Sequence, residues 1–258
     1  MSTELRNKVS LVTGGTSGIG QDAAILFAKA GSKVVIAGRR EREGQETVDK
    51  IHAIGGEACF VKTDVSRAVE VQALVQKTVT EFGHLDIAFN NAGIDGEWVP
   101  IAQHSEENWD STIDINLKGT FLCLKYEILQ MMKQGTGGAI VNMASIAGHI
   151  GAAGAGAYCA SKHGVMALTK TAALETARSG IRVNSVCPAV VETAMAERLF
   201  GTPEVNKRVL EQHPIGRFGK TSEISEAVLW MVSDRASFMT GQSITLDGGF
   251  LAGPNPHV

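Results

Sequence analysis

Aromatic side chains make up only 5% of this 258-residue sequence, prolines number 6, and the 4 cysteines stand far apart. Cys59, Cys123, Cys159 and Cys187 form no CxxC pair and have no histidine at ligand spacing, so neither a zinc site nor a disulfide framework is expected. No stretch approaches the ~18 consecutive apolar residues of a membrane span. The nearest, 143–157, is diluted by glycine and broken by His149. Charge of one sign is lacking as well. The 24 basic and 27 acidic residues leave a formal charge of -3, with no basic block beyond Arg39, Arg40 and Arg42. That balance argues against a nucleic-acid or anionic-membrane footprint. Residues 1–15 read as neither signal nor transit peptide, so a soluble, cytoplasmic protein with reduced thiols is expected.

What the sequence does have is glycine, 29 residues of it, within a composition that is 44% hydrophobic. A chain of roughly 250 residues buries about 70–75% of the surface that it exposes when unfolded, enough for a full core without staples. Short β-branched runs recur between longer stretches with helical spacing. The strand candidates are Val9–Val12, Lys33–Ala37, Ala58–Lys62, Ile87–Phe89, Ala139–Asn142, Arg182–Val186 and Ser243–Leu246. Between them, Gly18–Ala30, Glu41–Ile54, Ser66–Phe82, Ser105–Met132, Ala157–Ser179 and Glu223–Val232 carry apolar residues near the helical period, as in Val71, Leu74, Val75 and Val79. Strands apolar on both faces that alternate with helices specify a parallel sheet covered on each side. No linker, charge run or repeat divides the chain. We therefore read residues 1–258 as one α/β domain of doubly wound Rossmann type, a seven-stranded parallel sheet flanked by helices. The segment 192–216 interrupts the rhythm at the carboxyl edge of the sheet, where a long insertion reads as a substrate lid.

Thr13-Gly14-Gly15-Thr16-Ser17-Gly18-Ile19-Gly20 follows the first strand and opens the first helix. Glycine there lets a backbone approach a pyrophosphate, and the helix N-terminal amides favour the anion. The spacing is G-x-x-x-G-x-G rather than G-x-G-x-x-G, so the assignment leans on the strand before and the helix after. About twenty residues on, an Asp or Glu would mark a free ribose 2′-hydroxyl. Here the second strand runs into Gly38-Arg39-Arg40, and two guanidiniums stand where a 2′-phosphate would lie. The expected cofactor is NADP(H), with NAD(H) as the alternative.

Tyr158 and Lys162 fall at i and i+4 near the start of the helix predicted over 157–179, on one face. A free tyrosine titrates near ~10, and a cation one turn away favours its phenolate. Lowering the value by about three units needs roughly 4 kcal/mol, more than one screened ammonium supplies alone, and the positive charge of an oxidised nicotinamide would add to it. Thirteen residues before Tyr158, Ser145 follows the fifth strand at the carboxyl edge, where its hydroxyl would hold a substrate oxygen.

With these residues in view, the chain resembles the short-chain dehydrogenase/reductase family nearly end to end. The resemblance rests on the loop Thr13–Gly20, Asp64-Val65 after the third strand, Asn90-Asn91-Ala92-Gly93 after the fourth, Asn116 within Ile115-Asn116-Leu117, Ser145, the YxxxK of Tyr158–Lys162, and Gln242–Gly249. It implies a catalytic tetrad. Tyr158 would be the general acid/base, Lys162 would bind the nicotinamide ribose and depress the Tyr158 pKa, Ser145 would orient the substrate oxygen, and Asn116 would hold a water in a proton relay. The cofactor would be bound by Gly14, Thr16, Ser17, Gly18, Ile19 and Gly20, by Arg39 and Arg40, and by Asp64 at the adenine amino group with Val65 beside it. Asn91, Ala92 and Gly93, together with Tyr158 and Lys162, would line the trough, and Val191 and Thr193 match positions at the carboxamide. Ala189 replaces the usual glycine of the family's Pro-Gly-x-x-x-Thr, and Ser17 stands where some NADP(H)-preferring members carry a basic residue.

The implied reaction is hydride transfer between a nicotinamide and a secondary alcohol or ketone, with no metal. His149, Ile150, Ala189, Met195, Leu199 and Phe200 are the candidate substrate pocket, a largely apolar set with one imidazole. His163, next to Lys162 on another helical face, reads as packing. Two alternatives stay open, an NAD-dependent sugar or polyol dehydrogenase of the same family and a non-catalytic nucleotide-binding redox sensor. Apolar and small residues along 105–132 and 157–179, including Ala167, Ala172, Ala173 and Ala177, suggest subunit contact. The family resemblance implies a homotetramer, with the tail 250–258 at another interface.

Overall fold

The computed structural model describes residues 4–253. Seven strands form one parallel sheet: β1 (Val9–Thr13), β2 (Lys33–Gly38), β3 (Ala58–Lys62), β4 (Ile87–Asn90), β5 (Gly138–Met143), β6 (Ile181–Pro188) and β7 (Ser243–Leu246). Their spatial order is β3-β2-β1-β4-β5-β6-β7, and every pairing is parallel. The expected Rossmann-type α/β sheet is therefore present. Each predicted strand is found, several of them one to three residues longer than expected.

The continuous apolar runs follow from burial on both faces. In β1, Val12 enters a core with Phe27, Ile36 and Val141, while its neighbour Leu11 enters a second core with Val35, Leu74 and Ile140. Helices α1 (Gly18–Lys29), α2 (Glu41–Ala53) and α9 (Thr221–Val232) supply Ala24, Val48, Ile224 and Val228 to the first core. Helices α3 (Ala68–Phe82), α5 (Gly119–Gln134) and α6 (Gly156–Thr176) supply Leu74, Leu124, Met131 and Ala172 to the second. Ala172 and Ala173, read above as possible subunit contacts, are buried in this second core, whereas Ala167 and Ala177 are exposed.

Two local departures matter for the site. The stretch expected as one helix over 105–132 is α4 (Glu106–Ile113) and α5 joined by a π-helical turn, Asp114–Lys118. Such bulges insert one residue per turn and re-aim a side chain, here the buried Asn116. The lid segment holds two helices absent from the sequence expectation, α7 (Ala194–Phe200) and α8 (Pro203–Glu211). Thr193 caps α7 by accepting from the Ala196 amide at 3.3 Å, and Pro203 occupies the first turn of α8, where its missing N–H costs nothing. Among the described residues no helix is long and apolar enough to cross a membrane.

Candidate active site

The carboxyl ends of β1 to β6 open into one cleft of about 990 Å³. At its nucleotide end, Gly14 adopts φ +67° and Gly18 φ +53°, which side-chain-bearing residues rarely tolerate. A Cβ on Gly14 would come within 2.9 Å of the Ala92 backbone. The loop is pinned to the β4 exit because the Asn91 Nδ2 donates to the carbonyls of Thr13 and Gly14, both at 3.2 Å. The first turn of α1 holds no acidic residue, and Ser17 makes no side-chain cap, so the helix N-terminus keeps its amides and dipole for an anion. Gly14, Thr16, Ser17, Gly18 and Ile19 line the cleft. Gly20 does not, and the structure gives it a packing role: a Cβ there would collide with Gly14 O and Asn91 Nδ2. Gly20→Ala is expected to lower stability by about 1–3 kcal/mol through overpacking, read as an earlier denaturant midpoint. An unchanged midpoint would show that the loop can yield.

Arg39, Arg40, Asp64 and Val65 line the same end. The Arg40 Nη2 donates to Thr16 Oγ1 at 2.8 Å and to Ser17 Oγ at 2.7 Å, so this guanidinium braces the glycine loop. Arg39 donates no hydrogen bond among the described residues. Desolvation raises the Asp64 carboxyl, yet the Ser66 hydroxyl and amide, with Arg39 and Arg67 nearby, hold it below its ordinary value. At Gly38, the end of β2, a Cβ would stand 2.8 Å from Thr16 Cγ2, so the acid that a free ribose would call for requires the Thr16 side chain to shift.

At the chemical end, the Lys162 Nζ donates to Met143 O at 2.8 Å and sits 5.5 Å from the Tyr158 ring centroid. Burial pushes the Tyr158 phenol up to about 12, and a hydrogen bond with the Ser145 hydroxyl pulls against it. Burial also lowers Lys162 to about 8. The phenol rises because desolvation of the phenolate dominates and the nearby Asp95 carboxylate adds to it. Protonated tyrosine is the resident form of this cleft at neutral pH. Ser145 also accepts from the Ala147 amide at 3.1 Å, which fixes its rotamer.

Asn116 is brought beside this group without lining the cleft. Its Oδ1 accepts from the Ile94 amide at 2.8 Å, and its Nδ2 donates to Ile94 O at 2.8 Å and to Ser161 Oγ at 3.3 Å. The side chain expected to hold a relay water is committed to clamping the Gly93-Ile94 backbone, and the Asn116 carbonyl already accepts from Thr120 Oγ1 at 2.8 Å. Asn91, Ala92, Gly93, Val191 and Thr193 all line the trough. Ala189 takes the glycine position with no positive φ, its amide donating to Leu246 O at 3.1 Å, so its methyl does not distort the loop.

Ile150, Ala189, Met195, Leu199 and Phe200 line the substrate end, as expected. His149 does not; it is exposed and its Nε2 lies 3.4 Å from Thr245 Oγ1, because the 3-10 turn Ile146–Gly148 turns it toward β7. His163 is exposed, with Nδ1 bonded to Cys159 O at 2.9 Å. Residues 94–98 went unread in the sequence. Trp98 stacks edge-on with Phe200 of α7, centroids 5.6 Å apart, and Asp95 pairs with Arg198 of α7 at 3.2 Å. Together they close the lid over the cleft. A tryptophan in a polar loop directly after Asn91-Ala92-Gly93 was the available signal. Arg208 of α8 and Phe250 also line the cleft, and Phe250 packs on the His213 ring at 5.2 Å. The rest of the tail, 254–258, lies outside the described residues.

A family model described as enoyl-(acyl carrier protein) reductase matches residues 14–251. The chain is 42% identical over 251 residues to 2,5-dichloro-2,5-cyclohexadiene-1,4-diol dehydrogenase of Sphingobium indicum, covering 97% of this chain and 99% of that one. It is 43% identical over 250 residues to cyclohexanol dehydrogenase of an Acinetobacter species, with 97% of each covered. Among solved structures, levodione reductase superposes with a TM-score of 0.94 at 32% identity, over 97% of this chain and 100% of the other.

Proposed function

As this chain belongs to the short-chain dehydrogenase/reductase family and is an oxidoreductase of CH–OH groups, we propose that it exchanges a hydride between NADP(H) and an apolar cyclic secondary alcohol or its ketone. The observation that carries this reading is the single cleft that runs from Arg39 past Ser145, Tyr158 and Lys162 into the Trp98 and Phe200 walls. The residues present fit a dinucleotide: glycines at the close approaches, an uncompensated helix N-terminus and, in Arg39, a guanidinium that donates no hydrogen bond among the described residues.

When bound, the nicotinamide supplies the two-electron chemistry, and the protein orients and polarises. Lys162, held by Met143 O, faces the ribose position. Ser145 and the Tyr158 phenol hold the substrate oxygen. In reduction the phenol gives its proton to the carbonyl oxygen, and in oxidation the phenolate takes the hydroxyl proton back. Asn116 sets the height of Gly93 and Ile94 along the trough.

The cyclic substrate class is supported by the cleft walls, which are apolar at Ile94, Ile150, Met195, Leu199 and Val209, and by the substrates for which the cyclohexanol and dichlorocyclohexadiene-diol dehydrogenase relatives are named. With NADPH, six-membered cyclic ketones are expected to react with a kcat/KM at least about tenfold above that of open-chain 3-oxoacyl thioesters or sugar acids, since each extra apolar contact is worth a factor of this order. Turnover confined to polyols or gluconate-like acids would refute the reading. We also assign the chain to the cytoplasm and to a homotetramer. The exposed Phe121, Leu129 and Met132 on α5 and Leu174 on α6 support subunit contact.

A further inference from the structure

Under the cleft, between α5 and the sheet, lies a chain of buried polar side chains that the proposed reaction does not use. The Asn90 Nδ2 donates to Glu127 Oε2 at 2.9 Å and to Asn142 Oδ1 at 3.0 Å. The Asn142 Nδ2 donates to Thr169 Oγ1 at 2.9 Å, and that hydroxyl donates to Val165 O at 2.8 Å. All four side chains are buried, Glu127 at 0% exposure. Two atoms of the network have no partner among the described residues, Asn90 Oδ1 and Glu127 Oε1, and they belong to the same bonded pair. With Glu127 ionised both are acceptors, so neither can satisfy the other. One proton on Oε1 makes it a donor and removes both vacancies at once.

We propose that Glu127 stands as an un-ionised carboxylic acid at mildly acidic pH, donating from Oε1 to Asn90 Oδ1, and is a positioning residue for the cofactor trough. Asn90 is the last residue of β4, directly before Asn91-Ala92-Gly93, and Asn142 directly precedes Met143, whose carbonyl holds Lys162. A two-point acid–amide pair fixes the Asn90 side chain, and through it the ends of both strands relative to each other.

The surroundings agree. Burial pushes the Glu127 carboxyl up to about 7, against the single hydrogen bond from Asn90. Cys123, one turn back on α5, acts on it electrostatically, and burial keeps that thiol neutral. β4 presents Asn90, β5 Asn142 and α6 Thr169, and the buried residues of α3 are Val71, Leu74, Val75 and Thr78, none of them charged. Among the described residues no cation acts on it to hold an ionised carboxylate, which in such a setting neutralises instead. Because the folded value lies above the ordinary 4.5, the contribution of Glu127 to stability is fully present below that value and lost as pH rises through about 7.

The test combines infrared spectroscopy with cofactor titration. At mildly acidic pH the wild type should show the carbonyl stretch of a protonated carboxyl group in a difference spectrum against E127Q. Its stability relative to E127Q should decline between the acidic and neutral ranges. E127L, which removes the Glu127 partner of Asn90 and leaves only the bond to Asn142, should bind NADPH or NADH roughly tenfold more weakly, and E127Q, whose amide can reproduce the two-point pair, should restore the wild-type value. The binding arm rests on the proposed function, while the spectrum does not. A wild type without the band overturns the neutral acid, and E127L binding as tightly as the wild type overturns the positioning role. A band in a protein that binds neither nucleotide would refute the cofactor assignment and uphold the neutral acid.

Discussion

Tyr158→Phe is expected to reduce turnover of any ketone or alcohol substrate by roughly 10²–10⁴-fold, the span that a positioned proton donor provides, while NADP(H) affinity stays near that of the wild type. Phenylalanine keeps the ring beside Lys162 and removes only the hydroxyl that meets Ser145. The pH dependence of the two directions separates this role from a structural one. Burial places Tyr158 at about 12 and Lys162 at about 8, so at pH 7 the phenol carries its proton and the ammonium its charge. Carbonyl reduction then has its proton donor throughout the neutral range, and its rate should be flat there. Alcohol oxidation needs the phenolate, whose fraction rises about tenfold per pH unit below the pKa, so oxidation should climb steeply into the alkaline range. Loss of the Lys162 charge above about 8 should flatten that climb. Initial rates in both directions across pH decide the matter. A Tyr158→Phe enzyme that keeps wild-type turnover, or an oxidation rate independent of pH, would sink the assigned role.

Arg39→Ser should raise the KM for NADP(H) by about tenfold to a hundredfold and leave NAD(H) within about a factor of two. A charge-assisted contact to phosphate contributes about 1.5–3 kcal/mol, and the exposure of Arg39 places the expectation toward the lower end. Arg40 offers less to the phosphate because its guanidinium already serves Thr16 and Ser17. The selectivity lost with Arg39 should also shrink in the wild type as salt rises, since an exposed ion contact is screened. Equal KM values for both dinucleotides in the wild type would reverse the NADP(H) assignment. Replacing Gly38 by Asp is no simple route to the opposite preference, because the new Cβ meets Thr16.

Much of the molecule was legible before any coordinates. The strand and helix alternation, the glycine loop between β1 and α1, and the i,i+4 pair of Tyr158 and Lys162 are each set by residues within a turn or two of one another. Local spacing therefore reports them. Element ends were less exact: α3 begins at Ala68 rather than Ser66 because Asp64 Oδ1 captures the Ser66 amide at 3.0 Å and hydroxyl at 2.7 Å. The short lid helices escaped because seven and nine residues give too few turns for a period to stand out.

Sequence by itself determined the parallel sheet, the placing of the ligand-bearing loops at its carboxyl edge, and the chemical types gathered there. Tertiary structure decided what each group is free to do. The Asp95–Arg198 pair spans 103 positions, the Asn90–Glu127 bond 37 and the Asn90–Asn142 bond 52, distances over which no periodicity carries information. The same holds for the proton on Tyr158, which depends on how much water the folded cleft excludes rather than on the lysine four residues away. Motif spacing brings ionisable groups together, and only packing sets the solvation that fixes their charge.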